Sequence, residues 1–276
     1  MSNHSILPYD LVGCSFEGYH LEVLIEHNDV TGIFVCHSKN QYYIMKVALT
    51  KAAVSLVEHE QKMIEDVCYS GIVSFVTRID IRGFPALILH RYIRGALTRY
   101  IGVFSVQDIS KVFFRLCEIC QYLYEKGIYH RDIKPENIVL DDSEMPVLID
   151  FGMACRIGNQ EDYFTGTFDY AAPEVVKEHR VTYESELYSI ACVVYTLCHG
   201  RPPSKDSAVK KEHGLGSKED AMLNRMLNPD PRKRRAKKIE EESHDRGPKP
   251  RSKGYRGLFI ILVFILALSY FVIFLR

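Results

Sequence analysis

The sequence predicts an α+β protein in which a β-rich N-terminal lobe precedes an α-helical C-terminal lobe, with one transmembrane helix at the C-terminal end. Strand signals come first in residues 1–236, helical spacing follows, and residues 257–275 are almost entirely apolar. A chain of 276 residues is long enough for a two-lobed domain with an appendage, at roughly 100–200 residues per domain.

Two short apolar segments give the clearest strand signal. They cover residues 31–36 and 42–47, and the polar residues 38–41 lie between them. Apolar segments of this kind on both sides of a polar turn predict a β-hairpin.

Helical spacing marks three later segments. Apolar residues recur every three to four positions over residues 54–67, 106–124 and 184–199, which predicts helices. Cys117 and Cys120 fall within the second of these helices. Because no further ligands at zinc-site spacing accompany them, we interpret the cysteines as small buried side chains in a reducing compartment.

Charge is distributed unevenly along the chain. The 35 basic and 35 acidic residues cancel overall, but residues 1–231 are acidic and residues 232–256 carry 11 Lys and Arg against 4 Asp and Glu. A nucleic-acid-binding protein would spread positive charge over its folded body. We therefore expect no nucleic-acid partner.

The apolar C-terminal segment predicts a membrane anchor. Of the 19 residues 257–275, 17 are apolar and none is charged, and a helix of this length spans about 28 Å of bilayer. Basic residues precede the segment and only Arg276 follows it, which places the main body on the cytoplasmic side. We expect a single-pass, tail-anchored protein, in the inner membrane of a bacterium or an internal membrane of a eukaryote.

These signals divide the chain into four parts. The predicted parts are an N-terminal extension (1–18), a main domain (19–236), a basic linker (237–256) and a transmembrane helix (257–275).

The main domain contains a run of residues suited to phosphoryl transfer. Residues 130–137 read His-Arg-Asp-Ile-Lys-Pro-Glu-Asn, and Asp-Phe-Gly follows at 150–152. Transfer from ATP needs a metal on the phosphates, a carboxylate that orients the attacking hydroxyl and a cation on the transferred group. Asp132 is placed to accept the hydroxyl proton, and Lys134 to neutralise the γ-phosphate. Asn137 and Asp150 carry the oxygen ligands that Mg²⁺ prefers.

The order of these motifs resembles that of the eukaryotic-type (Hanks-type) serine/threonine protein kinases over residues 19–236. The resemblance implies a bilobal protein-kinase fold, ATP and Mg²⁺ as cofactors, and Ser/Thr hydroxyls of proteins as substrates. It implies that Asp132 is the catalytic base and that Lys46 pairs with Glu60, fourteen residues later. The oligomeric state stays open.

The resemblance also implies which residues hold the nucleotide. Residues 87–89 form the strand that leads into the hinge between the lobes. The implied nucleotide-binding residues are Ile25, Ile33, Ile44, Lys46, His90, Tyr92, Asn137 and Asp150, and the last two are the implied metal ligands.

An activation segment is a further implication of the resemblance. It pairs Glu174, in the Ala-Pro-Glu sequence that ends this segment, with Arg234. Arg131 is typical of kinases that are switched by phosphorylation of the segment, since a phosphate can pair with the arginine. Thr165 and Tyr163 are the candidate acceptors, and the alternative is that both are ordinary solvated loop residues.

The phosphate-covering loop departs from the three-glycine pattern of this family. Alignment puts Glu26, Asn28 and Thr31 at the three positions. Glycine lets backbone N–H groups approach phosphate and adopts a positive φ at little cost. We expect Asn28 to tolerate that geometry and Thr31 to resist it, with Gly32 serving one position late, while Glu26 brings like charge towards an anion.

Two functions from different classes therefore compete. The first is an active Ser/Thr kinase with a glycine-poor lid. The second is a pseudokinase, a scaffold or binding module with little or no transfer activity.

Ile44, where the family usually has alanine against adenine, adds bulk to the pocket. Glu186 replaces the aspartate that usually braces the catalytic loop, and retains the carboxylate.

Overall fold

A curled six-stranded antiparallel sheet forms the N-terminal lobe in the computed structural model, which describes residues 5–159, 163–204 and 212–234. The strands are β1 (Ser15–Phe16), β2 (Tyr19–His27), β3 (Thr31–Ser38), β4 (Gln41–Ala48), β5 (Phe75–Ile81) and β6 (Phe84–His90). Their order across the sheet is β1-β2-β3-β4-β6-β5. The sheet curls so that its edge strands β1 and β5 approach each other. The Glu17 side chain, next to β1, accepts a hydrogen bond from the Asp80 backbone N–H on β5 at 3.0 Å.

The predicted β-hairpin is confirmed as β3 and β4, which pair from Thr31↔Ala48 to Ser38↔Gln41. Successive side chains of a strand point to opposite faces. One face of the hairpin is fully buried and carries Phe34, Cys36, Met45 and Val47. The other face carries two directly opposed pairs, Ile33↔Lys46 and Val35↔Ile44, and it faces the cleft between the lobes.

One helix, α1 (Lys51–Glu65), packs on the N-terminal sheet and begins three residues before the predicted segment. Ala53, Val57 and Ile64 are buried on one stripe of this helix. Glu60 lies on the same stripe and is only 1% exposed. A carboxylate on an apolar stripe needs a buried partner, which anticipates a functional position for Glu60.

The C-terminal lobe is helical, as predicted. Its helices are α2 (Val106–Glu125), α3 (Pro173–Glu178), α4 (Tyr183–His199) and α5 (Ser217–Met226). Ser105 caps α2 by accepting from the Asp108 N–H, and Thr182 and Ser185 form a reciprocal capping box at α4. The two longest helices pack on each other and bury the cysteines at 117, 120 and 192.

Two short two-stranded sheets position the loops between the lobes. The strands are β7 (Ile128–Tyr129), β8 (Ile138–Leu140), β9 (Pro146–Leu148) and β10 (Cys155–Arg156). β7 pairs with β10. β8 pairs with β9, and the backbone N–H of Ile149 donates to the Asn137 carbonyl at 2.9 Å. This hairpin brings Asn137 and Asp150 to adjoining backbone positions despite their separation in the chain.

The segment before β1 packs on the N-terminal sheet. Leu11, in a short 3-10 helix (Pro8–Leu11), is fully buried. The Ile6 N–H donates to the Leu49 carbonyl at 2.8 Å, and the Tyr9 hydroxyl contacts Nε2 of His27 at 3.2 Å. These contacts attach the segment to the residue after β4 and to the end of β2.

The predicted linker (237–256) and transmembrane helix (257–275) lie outside the described residues. Within the part of the chain that the structure describes, no helix has the length and hydropathy needed to cross a membrane.

Candidate active site

The catalytic loop at 130–137 is held from below by one buried carboxylate. Glu186 on α4 accepts the backbone N–H of His130 through Oε2 and that of Arg131 through Oε1, each at 2.9 Å. Arg131 has a left-handed φ of 71°, a conformation that costs free energy and that these bonds stabilise. Glu186 therefore serves the bracing position that the sequence assigned to it.

Burial raises the pKa of the Glu186 carboxyl to about 7, against the opposing effect of the two N–H groups that it accepts. The side chain is 3% exposed. Desolvation disfavours the charged form of a carboxyl group, whereas hydrogen bonds to its oxygens favour that form.

Asp132 lies at the centre of a network of short polar contacts. Lys134 Nζ is 2.8 Å from Asp132 Oδ2, and Asn137 donates from Nδ2 to the same Oδ2 atom at 2.9 Å. The Thr167 hydroxyl donates to Asp132 Oδ1 at 2.7 Å and accepts from Lys134 Nζ at 2.9 Å. Lys134 has an extended backbone, with φ −155° and ψ 164°, which turns it to the same side as Asp132.

A second cluster joins the two lobes across the cleft. Lys46 Nζ on β4 is 2.7 Å from Glu60 Oε2 on α1 and 2.8 Å from Asp150 Oδ1 in the C-terminal lobe. Asp150 has a left-handed backbone, with φ 63° and ψ 81°, and its side chain accepts from the Gly152 N–H. The sequence-predicted pair of Lys46 and Glu60 is thus brought together, with Asp150 as a third member.

The three groups of this cluster differ in how burial and charge balance. For Lys46, burial alone would lower the pKa, but the carboxylates of Glu60 and Asp150 together raise it. Burial raises the pKa of Glu60, and Lys46 offsets this only in part. For Asp150, burial alone would raise the pKa, but Lys46 and the Gly152 N–H bring the pKa below its usual range. Lys46 therefore stays charged and Asp150 is ionised.

His130 supports the strand before Asp150 from within the core. Its ring is fully buried, and Nε2 lies 3.1 Å from the Ile149 carbonyl, so this nitrogen carries the proton. The ring also meets Phe151 edge-on at 4.9 Å. Burial lowers the pKa of His130, which keeps the ring neutral.

The predicted nucleotide-contacting residues of the N-terminal lobe lie on β2, β3 and β4 and at the end of β6. Ile33 and Ile44 share the hairpin face of Lys46, and Ile25 on β2 is 53% exposed. His90 is the last residue of β6 and pairs with Tyr43, and the His90 and Tyr92 rings meet edge-on at 4.8 Å. The strand predicted at 87–89 lies within β6.

The lid between β2 and β3 corrects one expectation. None of Glu26, Asn28, Thr31 and Gly32 has a positive φ, so no left-handed residue is needed at these positions. Asn28 instead shapes the turn through its side chain, since Oδ1 accepts the N–H of Val30 at 2.9 Å and that of Thr31 at 2.8 Å. An Asn side chain can replace backbone turn bonds in this way.

The activation segment docks on the catalytic loop at a close approach. Gly166 has φ 103°, and a Cβ atom there would lie 2.5 Å from the Arg131 carbonyl oxygen, so only glycine fits. The Arg131 guanidinium donates to the Thr165 hydroxyl, whereas Tyr163 is 58% exposed. Thr165, one of the two candidate acceptors, therefore contacts Arg131 at the catalytic loop.

The predicted contact between Glu174 and Arg234 is present. Arg234 is fully buried, and its Nη1 and Nη2 atoms lie 2.5 and 2.9 Å from the two Glu174 carboxylate oxygens. Arg234 also donates to three backbone carbonyls and lies over the Tyr188 ring. A bidentate pair with these extra bonds satisfies a buried guanidinium.

Thr167 is a site residue that sequence reasoning did not identify as one. It lies 35 residues after Asp132, and its hydroxyl contacts both Asp132 and Lys134. The only available signal was its position directly after Gly166, the residue whose missing side chain allows the segment to approach the loop.

Comparison with known proteins agrees with this geometry. The protein kinase domain family matches residues 30–245. The chain is 37% identical over 114 residues to serine/threonine-protein kinase PLK1 of Xenopus laevis, covering 40% of this chain and 19% of that protein. It is 38% identical over 122 residues to serine/threonine-protein kinase ppk21 of Schizosaccharomyces pombe, covering 40% and 22%.

Another relative is cGMP-dependent protein kinase 2 of Homo sapiens, which is 30% identical over 152 residues, covering 53% of this chain and 20% of that protein. The chain thus spans about a fifth of the length of these relatives. The family match covers most of the chain and includes both polar clusters of the cleft, and on that ground the chain belongs to the protein kinase domain family.

Proposed function

We propose that the chain is a membrane-tethered serine/threonine protein kinase that transfers the γ-phosphate of ATP to protein hydroxyls. The observation that carries the proposal is the pair of clusters facing one cleft, one around Asp132 and the other around Lys46. Polar groups buried without a ligand are costly. Their assembly from five separate parts of the chain supports an active enzyme over a scaffold.

In the proposed reaction, a substrate Ser or Thr oxygen attacks the γ-phosphorus and the bond to the bridging oxygen of ADP breaks. Asp132 accepts the hydroxyl proton, since its carboxylate is oriented by Asn137 and Lys134. Lys134 neutralises charge on the transferred phosphoryl group, and Lys46 holds the remaining phosphates. Glu60 positions Lys46 from the α1 side.

The donor atoms in the cleft fit Mg²⁺. Asn137 uses Nδ2 for its bonds to Asp132, so its amide oxygen is left for a metal, and Asp150 contributes a carboxylate. Magnesium is typically bound through one or two carboxylates together with substrate phosphates. Bound there, Mg²⁺ would neutralise the phosphate oxygens.

The full chain, solubilised in mild detergent, tests the proposal in a γ-phosphate transfer assay with Mg²⁺ and a generic protein substrate. We expect phosphoserine or phosphothreonine, and a loss of about 100-fold or more in Asp150→Asn. Asp142→Asn is the matched control, because Asp142 is exposed on the turn between β8 and β9. Equal incorporation by wild type and Asp150→Asn would support the pseudokinase alternative.

The proposed tether is the apolar segment at residues 257–275. Its support is compositional, with 17 apolar residues of 19 and basic residues directly before it. This arrangement would keep the kinase domain cytoplasmic and close to membrane-associated protein substrates. Deletion of residues 257–276 should move the protein from the membrane pellet to the supernatant after carbonate washing. Continued sedimentation of the deletion variant would contradict this anchor.

A further inference from the structure

The tip of the lid is closed by its own side chain. Asn28 Oδ1 accepts the N–H groups of Val30 and Thr31 at 2.9 and 2.8 Å, and the Thr31 hydroxyl also reaches it at 3.2 Å. The Asn28 N–H donates to the Thr31 carbonyl at 3.0 Å. Three backbone N–H groups of the tip are therefore bonded within it.

The acidic side chains of the lid and its glycine, Gly32, also disfavour contact between the lid and phosphate. Glu26 and Asp29 are exposed at the tip, where their carboxylates would repel phosphate. Gly32 is buried, and a Cβ atom there would lie 2.9 Å from the Phe34 ring. The glycine therefore serves packing against Phe34, and does not open the backbone of the lid to an anion.

The closed tip is also anchored at its base. The Leu49 N–H donates to the Val30 carbonyl at 2.8 Å, and Tyr9 contacts His27 through its hydroxyl and ring. These bonds come from two segments outside the lid and fix both of its strands. The tip that Asn28 closes is therefore held in place by contacts with the rest of the N-terminal lobe.

We infer that Asn28 is a positioning residue that closes the lid N–H groups to the nucleotide phosphates. The phosphates are then held from the side of Lys46 and the C-terminal lobe alone. Backbone N–H groups are strong donors to phosphate when they are free, and a bonded group must first lose its partner. The inference rests on the proposed function in that the ligand is ATP.

The test measures how much the phosphates add to nucleotide affinity. Dissociation constants for ATP and for adenosine are measured by calorimetry on the full chain in detergent, with Mg²⁺ present. The quantity compared is the ratio of the adenosine value to the ATP value. We expect Asn28→Gly and Asn28→Ala to raise this ratio by about 3- to 10-fold, since each frees two N–H groups.

Two further variants control for other causes. Asn28→Asp keeps a side-chain oxygen that can accept both N–H groups, so its ratio should not rise. Asn40→Gly makes the same change at an exposed turn of the same sheet, between β3 and β4, and should leave the ratio unchanged. The unfolding temperature of each variant shows that it is folded.

Each outcome decides the matter. An unchanged or lower ratio in Asn28→Gly would overturn the inference, as would a rise confined to glycine, which would indicate backbone freedom and not the cap. Binding of neither ligand by any of the folded proteins would overturn the proposed function and this inference together. A raised ratio in both variants without transfer activity would uphold the inference and contradict the proposed activity.

Discussion

The lid at 26–31 and the catalytic loop at 130–137 face one cleft and are held by opposite means. The lid is shaped by an exposed side chain, Asn28, which bonds its own backbone. The loop is shaped by a buried one, Glu186, which reaches it from another helix. Contacts within a surface turn can be exchanged at small cost, whereas a buried carboxylate must keep all its partners.

Because of this difference, the lid can tolerate residue changes that the loop and its brace cannot. A residue change in the lid alters local bonds and charge, and β2 and β3 keep their pairing. Loss of the Glu186 carboxylate would leave the backbone N–H groups of His130 and Arg131 without their acceptor in the C-terminal lobe.

Lys46→Met should have the largest effect, because Lys46 belongs to the sheet that carries the lid but bonds to Asp150 across the cleft. We expect transfer to fall by about 100- to 1,000-fold. Thermal stability should also fall, since Glu60 would be left buried without its cation. Lys51→Met, at the exposed start of α1, should retain activity. Similar activity of the two variants in the phosphate-transfer assay would contradict the assignment.

Arg234→Met tests how far the C-terminal lobe depends on buried ion pairs. The change leaves Glu174 without its fully buried partner and should lower the free energy of unfolding by about 3 kcal/mol. Arg232→Met is the control, because Arg232 pairs with Asp230 at a side-chain exposure of 89% and should contribute within about 0.5 kcal/mol. Denaturant titration measures both, and equal values would show that burial of Arg234 adds nothing.

A Glu→Gln substitution can be made both beneath the catalytic loop, at Glu186, and in the lid, at Glu26. In the wild type, each Glu186 oxygen accepts a backbone N–H. Glu186→Gln replaces one of these oxygens by an NH₂ group, which cannot accept. The variant should therefore lose about 1–3 kcal/mol of the free energy of unfolding at pH 7. Glu26→Gln, in the exposed lid, should change it by less than about 0.5 kcal/mol. An equal loss in the two variants would remove the distinction between lid and loop.

The pH dependence of stability provides the finest test. Burial raises the pKa of Glu186 from 4.5 to about 7, so between these values the folded state binds more protons than the unfolded state. The stability contributed by Glu186 is therefore complete below pH 4.5 and is lost as the pH rises through 7. The stability difference between wild type and Glu186→Gln should shrink over this interval. A difference that stays constant with pH would contradict the raised pKa.

The sequence was most informative where a motif is local. The catalytic loop lies within eight consecutive residues, and the β3–β4 hairpin shows its own alternation, so both could be predicted. Thr167 could not, because its contact with Asp132 spans 35 residues and depends on the bare Cα of Gly166. The prediction for the lid was wrong because the family's glycine pattern was taken to require a positive φ. The Asn28 side chain forms the turn without one.

The segment before β1 has a practical consequence for work with shortened proteins. A fragment that starts at residue 19, where the kinase-like motifs begin, would lose Ile6 and Leu11 from the core of the N-terminal lobe. Their removal would also leave the Leu49 carbonyl without the Ile6 N–H, and apolar surface newly exposed in the core favours aggregation. Expression of the catalytic unit should therefore start no later than residue 5, even though the first residues carry no catalytic motif.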